Sequence, residues 1–165
     1  MLGLGNNDAK AVLEAMSKTQ AIIEFKLDGT IVTANENFCQ AMGYELSEIK
    51  GQHHRMFVDP AEAGSDDYKA FWKSLGEGKF DRARYKRIGK GGKEIWIEAS
   101  YNPIFDFHGK PYKVTKFATD LTPRKNENRA LADSFESKVG KLVEGVADSA
   151  KQMDGTAESL AHTAD

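Results

Sequence analysis

A single cysteine, Cys39, stands among 165 residues, which excludes an intrachain disulfide framework and any paired-cysteine metal knuckle. No run approaches the ~20 apolar residues of a membrane span, and Met1–Lys10 lacks the basic and apolar blocks of a secretion signal. Neither sign of charge dominates. The net charge of -2 sets up no overall field that would draw nucleic acid or an anionic membrane. Gly89-Lys90-Gly91-Gly92-Lys93 lacks the spacing and the following Ser or Thr of a phosphate loop. No Gly-x-Ser-x-Gly elbow, HExxH zinc helix or clustered acidic pair occurs either, so none of these enzyme classes is indicated. A non-enzymatic, soluble protein of a reducing, cytoplasmic compartment is expected.

What is present divides into three zones: residues 1–18, 19–122 and 123–165. In the first, Val12, Leu13 and Met16 recur at helical spacing from Asp8 to Lys18. The middle zone holds almost all of the nine Phe, five Tyr and two Trp, enough for a core of its own. Ala21–Lys26 and Ile31–Ala34 read as strands around the Asp28-Gly29-Thr30 turn. Asn35 or Asn37 caps a short helix that Gly43 ends, and Ser47 begins a further turn that Gly51 closes. Asp59-Pro60 forces a break. Ser65–Leu75 then places Tyr68, Phe71, Trp72 and Leu75 on one helical face. Three longer strands follow, Phe80–Ile88, Glu94–Phe105 and Tyr112–Thr119. Five antiparallel strands with short helices segregated to one face predict an α+β domain of about 100 residues.

The last zone has no proline after Pro123 and no aromatic after Phe135. With Val139 as a heptad a position, a holds Ala132, Val139, Val146, Met153 and Leu160, and d holds Phe135, Leu142, Ser149 and Thr156. Val143, Ala150 and Ala157 at e widen the stripe toward a four-helix-bundle face. Such a helix is about 60 Å long at ~1.5 Å per residue. A domain of this size has a radius of gyration near ~13 Å, so the helix overshoots it and needs a partner helix. The simplest partner is the same helix of a second subunit, and the chain is expected to be a homodimer.

The element order, with Asp28-Gly29-Thr30, Asn35-Glu36-Asn37-Phe38, Gly43-Tyr44, Gly91-Gly92-Lys93-Glu94-Ile95-Trp96 and the closing Asp120-Leu121-Thr122, resembles a PAS domain. Gly51-Gln52-His53-His54-Arg55-Met56-Phe57 followed by Asp59-Pro60 is similar to the PAS domains of soluble methyl-accepting chemotaxis receptors and aerotaxis receptors. The resemblance implies a pocket between the sheet and the short helices, with Ile97, Ala99, Tyr101 and Ala118 lining it. It also implies a pocket-bound cofactor, and haem b through His53 or His54, with Met56 in the same turn, is the first expectation. Imidazole is a good iron ligand. Neighbouring residues on a helix point about 100° apart, so only one of the two histidines faces inward. The long helix carries Asp66 and Asp67 where well-known haem-binding relatives place histidine.

FAD is the alternative ligand, with Asn35, Arg87 and Trp72 at its edge, and a cofactor-free dimerisation and relay module is the third. Alternation along the last strand aligns Lys116 with Val114 and Ala118, a face that the resemblance turns inward, unless a strand bulge turns the lysine out. Asp120 and Thr122 are expected to relay the signal into the long helix. Phe135, Val139, Leu142, Val146, Met153 and Leu160 would form the dimer helix. The resemblance further implies a chemotaxis kinase and adaptor engaged through a signalling region beyond Asp165.

Overall fold

In the computed structural model the described residues are 6–162. They divide into two units, one ending at Thr122 and the other beginning at Pro123. The first unit opens with helix α1 (Asn6–Ser17) and the strands β1 (Ala21–Phe25) and β2 (Ile31–Ala34). The turn between these strands forms because Asp28 Oδ1 accepts the Thr30 N–H at 2.8 Å and Gly29 takes a φ of 87°. Helices α2 (Glu36–Met42) and α3 (Leu46–Ile49), a 3-10 turn at His54–Phe57, and helices α4 (Pro60–Ala63) and α5 (Asp66–Gly76) follow. The chain then returns through β3 (Asp81–Ile88), β4 (Glu94–Phe105) and β5 (Pro111–Asp120). The sheet runs β2-β1-β5-β4-β3 with every neighbouring pair antiparallel. This is the expected α+β architecture.

The period-two alternation of β4 is realised: Ile95, Ile97, Ala99, Tyr101 and Pro103 are buried while Trp96, Glu98, Ser100 and Asn102 are only partly covered. Against the inner face pack Phe38, Met42, Ile49, Phe57, Tyr68, Trp72 and Leu75. Each fully buried side chain of this size contributes roughly 1.5–3 kcal/mol, which makes this layer the main source of stability.

Two local readings are corrected. The turn after Gly43 starts at Leu46 and not at Ser47, because the Glu45 N–H donates to Glu48 Oε2 at 2.8 Å and sets the helix start earlier. The break at Asp59-Pro60 is also a beginning. Asp59 Oδ1 accepts the Ala61 N–H at 2.9 Å, and Pro60 occupies the first position of α4, where its missing N–H costs nothing.

Gly89 marks where the backbone comes closest to a neighbour. A Cβ there would stand 2.7 Å from Ile95 Cδ1 and 2.7 Å from the Met42 carbonyl oxygen. The isoleucine tip can yield and the carbonyl cannot. Gly89→Ala is expected to cost about 1–3 kcal/mol in urea unfolding. Gly76→Ala, whose Cβ would meet nothing within 4 Å, is expected to leave stability unchanged or slightly raised. Equal midpoints for the two variants would contradict this packing.

The second unit is a single helix, α6, counted from Thr122 to His162 and 41 residues long. Leu131, Phe135, Val139, Leu142, Val143, Val146 and Met153 are all exposed on it. Leu160, the last a position, lies outside the residues whose side chains are described. No helix among the described residues is long and apolar enough to cross a membrane.

Candidate functional site

His53 and His54 part company at the 3-10 turn. His53 caps it: Nδ1 accepts the Arg55 N–H at 3.1 Å, which leaves Nε2 to donate to the Asp28 carbonyl at 2.7 Å. Its ring covers the Gly29 turn, where a Cβ would come within 2.8 Å of it. His54 is 0% exposed, while both rings pack against Tyr68 and Trp72. Its Nδ1 lies 2.9 Å from the Tyr68 hydroxyl of α5 and its Nε2 lies 2.9 Å from the Tyr101 hydroxyl of β4. One hydroxyl therefore donates to the ring and the other accepts from it. The imidazole stacks on Tyr68 at 5.9 Å and meets Phe25, Trp72 and Phe57 edge-on at 5.3, 5.4 and 6.3 Å.

Charge in this aromatic box is costly. Burial, helped by the Lys116 and Arg87 side chains nearby, which disfavour a further positive charge, holds His54 well below the ordinary histidine range, so the ring is neutral. Burial pushes Tyr101 up to about 12. Lys116 faces inward as alternation along β5 requires, with Nζ 4.9 Å from the Tyr101 ring centroid and 5.8 Å from that of Phe38. Burial and the Arg87 guanidinium drive its amine well below the usual lysine range.

Tyr68 carries this interior to the surface. With Phe71 of α5, Tyr85 and Arg87 of β3, Glu62, Ser65 and Asp67 it lines an open cleft of about 460 Å³. Arg87 is 3% exposed. Its Nη1 donates to the Lys86 carbonyl at 2.8 Å and stands 3.5 Å from Glu62 Oε1, and its Nε is buried with no hydrogen-bond partner. Trp72 Nε1 is buried in the same state.

These positions bear on the expected cofactors. Both nitrogens of His54 and both of His53 are already engaged, so as folded neither histidine offers a lone pair to iron. Haem does not fit this arrangement. Asn35 does not fit a flavin edge either. Its Oδ1 accepts from the Ile22 and Phe38 N–H groups, and its Nδ2 donates to the Ser17 and Gln20 carbonyls. The amide is thereby a clamp between α1, β1 and α2. Ile97, Ala99 and Ala118 are packed in the core, and Met56 lies half-buried against it. The structure thus brings together His54, Tyr101, Arg87 and Trp72 and leaves Asn35 and His53 to structural duties.

Sequence reasoning gives Tyr68 a place on the apolar helix face but no functional role, and it does not single out Tyr85 or Glu62. The signal available was chemical: a tyrosine on an apolar helix face brings a hydroxyl into the core, and that hydroxyl needs a partner.

At the far end of the sheet, the Leu121 N–H donates to the Trp96 carbonyl at 2.7 Å and Thr122 Oγ1 accepts the Trp96 N–H at 2.9 Å. Asp120 Oδ1 accepts the Thr122 N–H at 2.8 Å.

Known proteins share this fold. The chain is 38% identical over 128 residues to the Biofilm dispersion protein BdlA of Pseudomonas aeruginosa, covering 78% of this chain and 31% of that protein. It is 31% identical over 78 residues to the Aerotaxis receptor of Escherichia coli, covering 47% and 15%. It is 25% identical over 92 residues to the Oxygen sensor protein DosP of Escherichia coli, covering 56% and 12%. The chain thus spans less than a third of each of these curated relatives. Among solved structures, the PAS domain of a Colwellia psychrerythraea protein aligns with a TM-score of 0.60 at 21% identity, covering 70% of this chain and 98% of that one. An RNA-binding Light-Oxygen-Voltage receptor aligns with a TM-score of 0.63 at 21% identity, covering 81% and 38%, a likeness of fold. The PAS fold family matches residues 31–118, the span from the first residue of β2 into β5 that holds the His54–Tyr68–Tyr101 cluster, and the chain belongs to that family.

Proposed function

We propose that the chain is a sensory input module of a chemotaxis-type receptor, in which the state of the core beneath α5 is passed along β4 to Thr122 and from there to a dimerising α6. The observation that carries this is the junction. Thr122 and Leu121 bond to Trp96, a residue of the same strand whose inner face presents Tyr101 to His54. A change at Tyr101 that moves β4 therefore bears directly on the residue where α6 starts. A ligand can drive such a switch only by binding the two states unequally.

The exposed heptad stripe supplies the output. A second copy of α6 covers Phe135, Val139, Leu142, Val146 and Met153, and the chemotaxis kinase and adaptor are engaged elsewhere in the receptor assembly. The relatives named for aerotaxis and biofilm dispersion support this reading. Sedimentation equilibrium is expected to give a homodimer, and Leu142→Asp with Val146→Asp a monomer, because charges at both positions disrupt the seam. In a Cys39→Ser, Ser149→Cys background, Thr122→Ala is expected to change disulfide crosslinking between subunits. Loss of one hydrogen bond costs only ~1 kcal/mol, so the fold survives. A monomeric parent, or crosslinking indifferent to Thr122, sinks the relay.

A further inference from the structure

The cleft between α5 and β3 has an internal chemical demand. Its volume of about 460 Å³ lies within the range of roughly 300–1,000 Å³ common for small-molecule sites. Its walls are the rings of Tyr68, Phe71 and Tyr85. Among them sits the Arg87 guanidinium, 4.5 Å from the Tyr85 ring centroid, with its Nε–H buried and unpartnered. A buried donor left empty is costly, and a guanidinium is best completed by a carboxylate oxygen. A simple anion is nonetheless poorly matched, since Glu62 and Asp67 place two exposed carboxylates at the same cleft. What suits both is a molecule that offers negative charge to Arg87 and positive charge to its neighbours. Glu62 Oε1 lies only 3.5 Å from Arg87 Nη1, so the two opposite head groups must be close together, as they are when they share one carbon.

We propose that this cleft binds an α-amino acid with an apolar side chain. The carboxylate meets Arg87, the ammonium lies between the Glu62 and Asp67 carboxylates, and the side chain rests on Phe71 and Tyr85. Because Tyr68 both lines the cleft and holds His54, occupancy reaches the buried cluster directly. Its role as the sensory input rests on the relay reading above; the binding itself does not.

Isothermal titration calorimetry of the full chain tests it with three probes: L-phenylalanine, 3-phenylpropanoate (no ammonium) and 2-phenylethylamine (no carboxylate). L-Phenylalanine is expected to bind, with each truncated probe weaker by about tenfold or more. Asp67→Asn, a change at an exposed residue that leaves the core intact, is expected to weaken L-phenylalanine about fivefold and not to weaken 3-phenylpropanoate. Arg87→Gln is expected to abolish the preference for the carboxylate. No heat with L-phenylalanine at about 10 mM overturns the proposal, as does either truncated probe binding equally well, or an Asp67→Asn titration that matches the parent. Binding without any change in Ser149→Cys crosslinking keeps the site and removes its part in signalling. A monomeric parent that still binds L-phenylalanine removes the relay and leaves the site.

Discussion

Lys116→Met raises stability at pH 7 by about 2 kcal/mol or more and flattens its dependence on pH. Lys116 is 1% exposed, its amine faces the rings of Tyr101 and Phe38, and among the described residues no ion pair forms with it. Arg87 opposes its charge from β3, and the rings of Tyr101 and Phe38 offset only a part of the burial cost. Above the ordinary lysine value near 10.5 the folded and unfolded chains both hold a neutral amine, and no penalty exists. As pH falls below 10.5 the unfolded chain takes up a proton that the folded chain refuses. Stability then declines by up to about 1.4 kcal/mol per pH unit until the depressed folded value is reached. Methionine follows a similar path and carries no proton. Urea unfolding at pH 7, 8, 9 and 10 should show the parent gaining stability with pH and the variant largely losing that slope. Parallel curves would mean that the amine finds water or a counter-ion.

That lysine illustrates what the sequence discloses. Alternation along β5 puts residues 114, 116 and 118 on one face, and the family resemblance, not alternation, suggests that this face points inward, as it does. The flanking glycine-bearing turns give β4 its bounds, Glu94–Phe105, as observed. Asn35 as a helix cap is equally local, since it needs only a side-chain oxygen three residues before the Phe38 N–H. The fate of His54 is not local. Its two partners lie 14 and 47 residues away, and nothing in His53-His54 says which ring meets them. The place of open space is not local either. Inward residues on β4 define a face, but whether that face borders space or side chains depends on how deeply Phe25, Phe57, Tyr68 and Trp72 reach across. Here they reach His54. One cleft opens at the β3 edge, where the chain places Arg87, and another of about 340 Å³ lies beside His53 and Trp72.

His54→Leu is expected to destabilise the fold by about 3–5 kcal/mol, more than a change of shape explains. The Tyr68 and Tyr101 hydroxyls both lose the imidazole, and Trp72 beside the one and Arg87 beside the other offset only part of a cost of about 1–3 kcal/mol per unpaired buried polar group. If the imidazole exists to satisfy these tyrosines, removing their hydroxyls removes the cost. His54→Leu with Tyr68→Phe and Tyr101→Phe should therefore recover most of the loss. An acid limb accompanies this. The folded ring is held below its unfolded value of 6.5, so its contribution is complete above that pH and is lost as pH falls below it, where the unfolded histidine gains a proton. The triple variant should lack that limb while keeping any arising from carboxylates. A histidine kept for a metal or a cofactor predicts the opposite: the phenylalanine pair would bring no rescue, because the lost partner would not be a tyrosine.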